Sequence, residues 1–222
     1  MSNFDFERAR FNMVEQQIRT WEVLDERVLE VIRNVPREAY VPERYRGVAY
    51  MDLRVPLPNG QYMLEPKVAA RMLQAVDVKP SEQALEIGTG SGYVTACLAQ
   101  LAAHVTSVEY FADLKELAAR NLAAQNVSNV TLEVGDASKG WDDGRRYDVI
   151  VVTGSLPELH QGFHKSLTIG GRLVLAVGQG LGMLNEVLLI TRVAEDQWAT
   201  QSLFDTYIEP LINAPRTVAF AL

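Results

Sequence analysis

The sequence predicts an α/β fold, doubly wound around a mainly parallel sheet, with a helical N-terminal extension and a C-terminal antiparallel hairpin. Three observations carry this. Apolar runs near 83–88, 104–109, 130–134, 147–153 and 172–177 alternate with helical segments near 91–102, 111–125 and 156–167. That is the pattern of buried parallel strands linked by crossover helices on both faces of a sheet. A glycine-rich turn, Gly88-Thr89-Gly90-Ser91-Gly92, joins the first run to the first of these helices. Two strand-like stretches, 185–193 and 198–207, are joined by Ala194-Glu195-Asp196-Gln197, a connection short enough for a hairpin.

Taken in order, residues 6–19 show helical spacing, with Phe6, Ala9, Met13 and Gln17 along one face. Asp25 suits the N-cap of a second helix over 26–35, which Pro36 ends. Residues 36–58 read as irregular and carry Tyr40, Tyr45 and Tyr50, which suit either a peptide cleft or packing of the extension. Pro66 opens a third helix reaching about Val76. The domain reading is therefore an extension over 1–78, covering the site, and a ligand-binding core over 79–222. In such sheets ligands bind at the carboxyl ends of the strands. The glycine turn, Glu109, Asp136 and Thr153 all fall there.

Composition narrows the function classes. The net charge of −7 argues against a broad nucleic-acid or anionic-membrane surface. No apolar run approaches the roughly 20 residues of a membrane span. The N-terminus lacks a signal-peptide pattern. Cys97 is the single cysteine and reads as a small buried apolar residue. A cytoplasmic protein is expected. His160 and His164 stand four apart in the predicted helix but enclose no glutamate. A solvated helix face is the better reading, and no metal is expected.

The chemistry sits in Leu85-Glu86-Ile87-Gly88-Thr89-Gly90-Ser91-Gly92-Tyr93. Strand, glycine turn and helix start present bare backbone N–H groups to a ligand. A dinucleotide fingerprint needs a further glycine where Tyr93 stands. The pattern Gly-x-Gly-x-Gly instead suits a nucleoside without a pyrophosphate. Glu109 closes the next apolar run, about 20 residues on, where a carboxylate takes both ribose hydroxyls. Glu86 adds a second acid, which favours a cationic ligand and opposes a polyphosphate. S-adenosylmethionine, with a sulfonium, an ammonium and a ribose, meets these requirements. Asp136, after Gly135, suits either acceptance from the adenine amino group or a cap on the turn at the strand end. A bare glycine turn with no ligand is the weaker reading.

These residues resemble the core of a class I S-adenosylmethionine-dependent methyltransferase, and more narrowly the protein-L-isoaspartate O-methyltransferase family. Nearly the whole chain takes part. Met13-Val14-Glu15-Gln16-Gln17-Ile18-Arg19, Val35-Pro36-Arg37, Tyr40-Val41-Pro42 and Ala49-Tyr50 look like that family's N-terminal landmarks. Val134-Gly135-Asp136, Tyr147-Asp148-Val149-Ile150-Val151, Gly170-Gly171-Arg172-Leu173-Val174, Val177-Gly178 and Glu209-Pro210-Leu211 resemble its later ones. The resemblance implies a Rossmann-like methyltransferase fold that forms methyl esters on isoaspartyl carboxylates of a protein or peptide. It implies a cofactor site of Glu86, Gly88, Thr89, Gly90, Gly92, Glu109, Tyr110, Asp136, Ala137 and Thr153. The acceptor would lie beside Gly60, Gln61, Tyr62, Met63 and Leu64.

One departure stands out. The family pattern Gly-x-x-x-Ser-x-Pro is here Gly60-Gln61-Tyr62-Met63-Leu64-Glu65-Pro66. Leu64 occupies the position of a serine whose hydroxyl helps hold the substrate carboxylate. A carboxylate acceptor is ionised at neutral pH and needs alignment, not a base. An amine or phenol acceptor would need one, and Glu65 is the candidate. Its simpler role is to meet a helix dipole. Two rivals therefore stay open: the same scaffold with a different acceptor, and a module that binds the cofactor without turnover. The sequence leaves the oligomeric state open.

Overall fold

The computed structural model describes residues 5–178 and 184–214. α1 spans Phe6–Met13, its first turn capped by the Asp5 carboxylate, which accepts from the Arg8 N–H. The helix expected over 6–19 does not run on as one α-helix. It continues as a π turn, Val14–Ile18, and a 3₁₀ turn, Arg19–Trp21, closed by Glu22 in the left-handed region. α2 (Glu26–Asn34) is capped by Asp25 as expected. The irregular stretch that follows holds two 3₁₀ turns and ends in a small hairpin of β1 (Val55–Pro56) and β2 (Tyr62–Met63). α3 (Pro66–Val76) starts on its proline.

The core follows the alternating pattern: β3 (Gln83–Ile87), α4 (Tyr93–Leu101), β4 (His104–Glu109), α5 (Ala112–Ala124) and β5 (Val130–Val134). β6 (Tyr147–Leu156), β7 (Leu167–Val177), β8 (Asn185–Ala194) and β9 (Gln197–Thr206) complete it. The strand order is β5-β4-β3-β6-β7-β8-β9. β3 to β7 pair in parallel, and β8 and β9 add antiparallel. The order reverses between β4 and β6 at β3, so the glycine turn leaves the sheet at its switch point, where a crevice opens.

Alternation along the strands splits the core in two. Ala84, Val105, Val149, Val151 and Val174 join one buried cluster with the helices, including Met13, Leu29, Ile32, Leu73 and Leu98. Leu85, Ile87, Val108, Ile150 and Val152 face a second cluster with Phe163 and Leu167. The first cluster runs unbroken from the extension into the sheet. Arg172 of β7 also ties the two together. It grips Glu82 with two nitrogens, at 2.7 and 2.8 Å, and donates to the Val76 and Asp77 carbonyls.

The helix expected over 156–167 does not form. β6 runs on to Leu156, and only a 3₁₀ turn, His164–Ser166, follows. The C-terminal segment captures the strand: Ser155 donates from its N–H to Glu209 O and from its hydroxyl to Ile208 O, both at 2.8 Å. Gly162 then packs so tightly on the 139 loop that a Cβ would stand 1.8 Å from Lys139 O. His160 and His164 consequently share no helix face. The His160 ring accepts from Gly162 N–H through Nδ1, so Nε2 donates to Ser138 O at 3.0 Å. His164 is buried edge-on to Trp198. Among the described residues, no helix is long and apolar enough to cross a membrane.

Candidate active site

The glycine turn is built by backbone bonds. Gly88 N–H donates to Val108 O at 2.8 Å, and Gly92 N–H to Thr89 O at 2.9 Å. Gly88 has φ 95°, and a Cβ there would stand 2.4 Å from Thr153 Oγ1, so no larger residue fits. The Thr153 hydroxyl lies 2.9 Å from Ile87 O and 2.7 Å from Gly88 O. Thr153 lines both cavities of the site, and its hydroxyl proton serves the turn. Gly92 is placed apart from the other two glycines. It lines neither cavity of the site but caps α4, 3.3 Å at its missing Cβ from Ala118 and Leu122 of α5.

Glu109 ends β4 with its side chain 5% exposed. Oε2 accepts from Gly90 N–H at 2.8 Å and Oε1 from Phe111 N–H at 3.0 Å. The carboxylate is thus clamped at the turn and faces a cleft of about 780 Å³, open mouth included. Gly88, Gly90, Tyr110, Asp136 and Ala137 line the same cleft, as do Gln61, Tyr62, Met63 and Leu64. Gly60 does not; it forms the turn before them, with φ 68°. Asp136 accepts from Ser138 N–H at 3.0 Å and from Asn213 Nδ2 at 3.0 Å. Those bonds hold its carboxyl below the usual range. Tyr110 is half exposed, its hydroxyl 3.4 Å from Asn213.

A smaller lobe of about 340 Å³ shares Leu64, Gly88 and Gly90 with the cleft and reaches inward to Glu86, Arg37 and Tyr93. Glu86 is fully buried. Its Oε2 accepts from Thr95 at 2.5 Å and Ser107 at 2.6 Å, while Oε1 has no partner among the described residues. Ser107 in turn takes the Thr89 hydroxyl at 2.6 Å, so the Thr89 side chain supports Glu86 from below. Burial pushes the Glu86 carboxyl up to about 8.

That shift has a testable sign. Folded Glu86 keeps its proton where the unfolded chain, with a value near 4.5, has lost it. The stability this group contributes is therefore fully present below pH ~4.5 and is lost as pH rises through about 8, an amount on the order of several kcal/mol. Urea midpoints at pH 6 and 8.5 are expected to differ more in the wild type than in Glu86→Gln. An equal drop in both proteins would mean that other groups set the slope.

Leu64 is 9% exposed, and its side chain lines both lobes. Its carbonyl accepts from Arg37 Nη2 at 2.7 Å, and Ala49 O from Arg37 Nε at 3.0 Å. Glu65 lies outside both lobes, with Oε2 3.5 Å from Lys67 Nζ, which leaves the base role without support. Tyr40, Tyr45 and Tyr50 pack and do not line the cleft: Tyr40 meets Tyr93 edge-on, Tyr45 lies under Arg44, and Tyr50 is held by Arg10 and Glu38. The sequence marks Arg37 and Glu209 as landmarks but gives neither of them, nor Arg54 and Asn213, a part in the site. Arg54 and Glu209 line the cleft and pair across 155 residues, Asn213 and Asp136 across 77. Such separations leave no local signal.

Comparison with known proteins follows the same lines. Residues 8–213 match the family model described as protein-L-isoaspartate(D-aspartate) O-methyltransferase. A protein-L-isoaspartate O-methyltransferase 1 of Rhodopseudomonas palustris (strain HaA2) is 42% identical over 208 residues, covering 94% of this chain and 84% of that one. A protein-L-isoaspartate O-methyltransferase of Protochlamydia amoebophila is 40% identical over 201 residues, covering 90% and 95%. Among solved structures, a Plasmodium falciparum protein described as a protein-L-isoaspartate O-methyltransferase, in complex with S-adenosyl-L-homocysteine, superposes with a TM-score of 0.77. The overlay covers 93% of this chain and 97% of that one at 20% identity, a likeness of fold.

Proposed function

The chain belongs to the protein-L-isoaspartate(D-aspartate) O-methyltransferase family, and from that premise we propose that it methylates the free carboxylate of isoaspartyl residues in proteins or peptides, with S-adenosylmethionine as donor. The observation that carries the cofactor is Glu109. Both its oxygens are fixed by backbone N–H groups at the glycine turn and keep lone pairs for two ribose hydroxyls. The unpartnered Oε1 of buried Glu86, at the inner lobe, suits the ammonium of the methionine half, whose positive charge would release the proton that burial otherwise holds there. Asp136, Ala137 and Tyr110 would border the adenine. Gly88 and Gly90 leave backbone where side chains would block approach.

When bound, S-adenosylmethionine supplies an electrophilic methyl group on a sulfonium with a neutral leaving group. The chain's own residues then bind, align and exclude water. The acceptor carboxylate is ionised at neutral pH, so no side chain need remove a proton. Holding it in line with the methyl group, in a cleft walled by Leu57, Met63, Leu64 and Ile208, supplies the rate. We read residues 1–78 as the acceptor-side cover and 79–222 as the cofactor-binding core. A cytoplasmic setting suits the unpaired, buried Cys97.

The apolar Leu64 favours one rival, a different acceptor on the same scaffold. Transfer of labelled methyl groups to an isoaspartyl peptide, against its aspartyl twin, decides between them. Wild type is expected to label only the isoaspartyl peptide, as a base-labile ester. Leu64→Ser is expected to raise that turnover by ~10-fold or more, the value of one hydrogen bond to a charged group. Wild type that binds cofactor yet labels neither peptide would overturn this reading in favour of the rival.

A further inference from the structure

An anion entering this cleft meets Glu109, Asp136 and Glu209, three acids among the lining residues. Coulomb repulsion opposes an acceptor carboxylate there unless a cation offsets it. Leu64 offers no hydroxyl, and the Gln61 amide already donates to Asn59 O at 3.1 Å. Among the described residues, Arg54 is the one lysine, arginine or histidine lining the cleft. Its Nη1 lies 2.8 Å from Glu209 Oε1, and Tyr207 holds the other oxygen of that carboxylate at 2.9 Å. The guanidinium sits 4.5 Å from the Tyr207 ring centroid and 5.2 Å from that of Tyr62. Two rings and one carboxylate thus fix the fork, and the Tyr207 hydroxyl also bonds to it; among the described residues the guanidinium's N–H donors outnumber these partners.

We propose that Arg54 holds the acceptor's carboxylate, with Glu209 as the counter-ion that keeps the guanidinium in place between turnovers. The inference rests on the isoaspartyl reading above and names the group that recognises the acceptor. A guanidinium presents donors along two edges. Glu209 takes one nitrogen, which leaves a pair that can grip a second carboxylate bidentately. The half-exposed ion pair would contribute little to stability alone. Its use is to preorganise a cation at the mouth of an acidic cleft.

The test uses the full chain as wild type, Arg54→Gln, Arg54→Lys and Glu209→Gln. A short isoaspartyl peptide is titrated calorimetrically into each protein saturated with S-adenosylhomocysteine, and KM and kcat are measured alongside. Arg54→Gln is expected to weaken peptide binding and raise KM by ~10- to 100-fold, the loss of charge-assisted hydrogen bonds. Its affinity for S-adenosylhomocysteine should stay within about two-fold, since Arg54 touches no cofactor-side residue named above. Arg54→Lys should fall between. Glu209→Gln should tighten peptide binding, an effect that a merely structural ion pair would not produce. Equal peptide binding by wild type and Arg54→Gln, parallel loss of both ligands, or no peptide binding by wild type would each overturn the inference. Peptide held through Arg54 without methyl transfer would overturn the activity reading alone. Transfer unaffected by Arg54→Gln would overturn this inference alone.

Discussion

Glu109→Ala is expected to weaken binding of S-adenosylmethionine and S-adenosylhomocysteine by ~10²- to 10⁴-fold. Two charge-assisted hydrogen bonds to the ribose are lost, each worth about 1.5–3 kcal/mol. The carboxylate also receives Gly90 N–H and Phe111 N–H, so its removal loosens the turn as well as emptying the ribose contact. Glu109→Gln, which keeps the shape and one acceptor oxygen, should lose less. Calorimetric titration of the three proteins settles it. Binding by Glu109→Ala within ten-fold of wild type would place the ribose elsewhere.

The second large effect is on stability. Arg37 is 1% exposed and lies with its guanidinium 4.7 Å from the Tyr93 ring centroid. Burial lowers its pKa from the ordinary value, yet two carbonyl acceptors and the ring hold it in place. Arg37→Met strands the Ala49 and Leu64 carbonyls without donors, at about 1–3 kcal/mol each. For a chain of this size that corresponds to a melting temperature lower by roughly 5–20 °C. Cofactor binding should weaken too, because Arg37 fixes the backbone at Leu64, and Leu64 lines both lobes. A melting temperature within two degrees of wild type would show that water replaces the guanidinium at no cost.

What the sequence disclosed follows from range. Strands appear as apolar runs because both faces of a parallel sheet are buried, and β3, β4 and β5 lie within a residue of where the runs place them. The glycine turn with its carboxylate was legible since its parts are a strand apart and each has a local signature. The helix expected over 156–167 failed for the opposite reason. Its fate is decided by Glu209 and Ile208 pairing with Ser155, and by Lys139 crowding Gly162. No local pattern records those partners. The pairing of Arg54 with Glu209 was hidden in the same way, since nothing local says that the chain brings them 2.8 Å apart. Gly92 shows a subtler limit: the motif marks it as essential without saying that it packs against Ala118 and Leu122 of α5.

Cys97, in the middle of α4, is fully buried, and burial pushes its thiol up to about 12. Thiol reagents attack the thiolate, so labelling at neutral pH must wait for this helix to leave the core. As the chain has one cysteine, the labelling rate is a single-channel clock for that opening, readable in native buffer without denaturant. α4 begins at the glycine turn. A ligand seated on the turn should therefore slow the clock as the unliganded fraction falls, by the factor 1 + [L]/Kd, so that affinity can be timed at a site the ligand never touches.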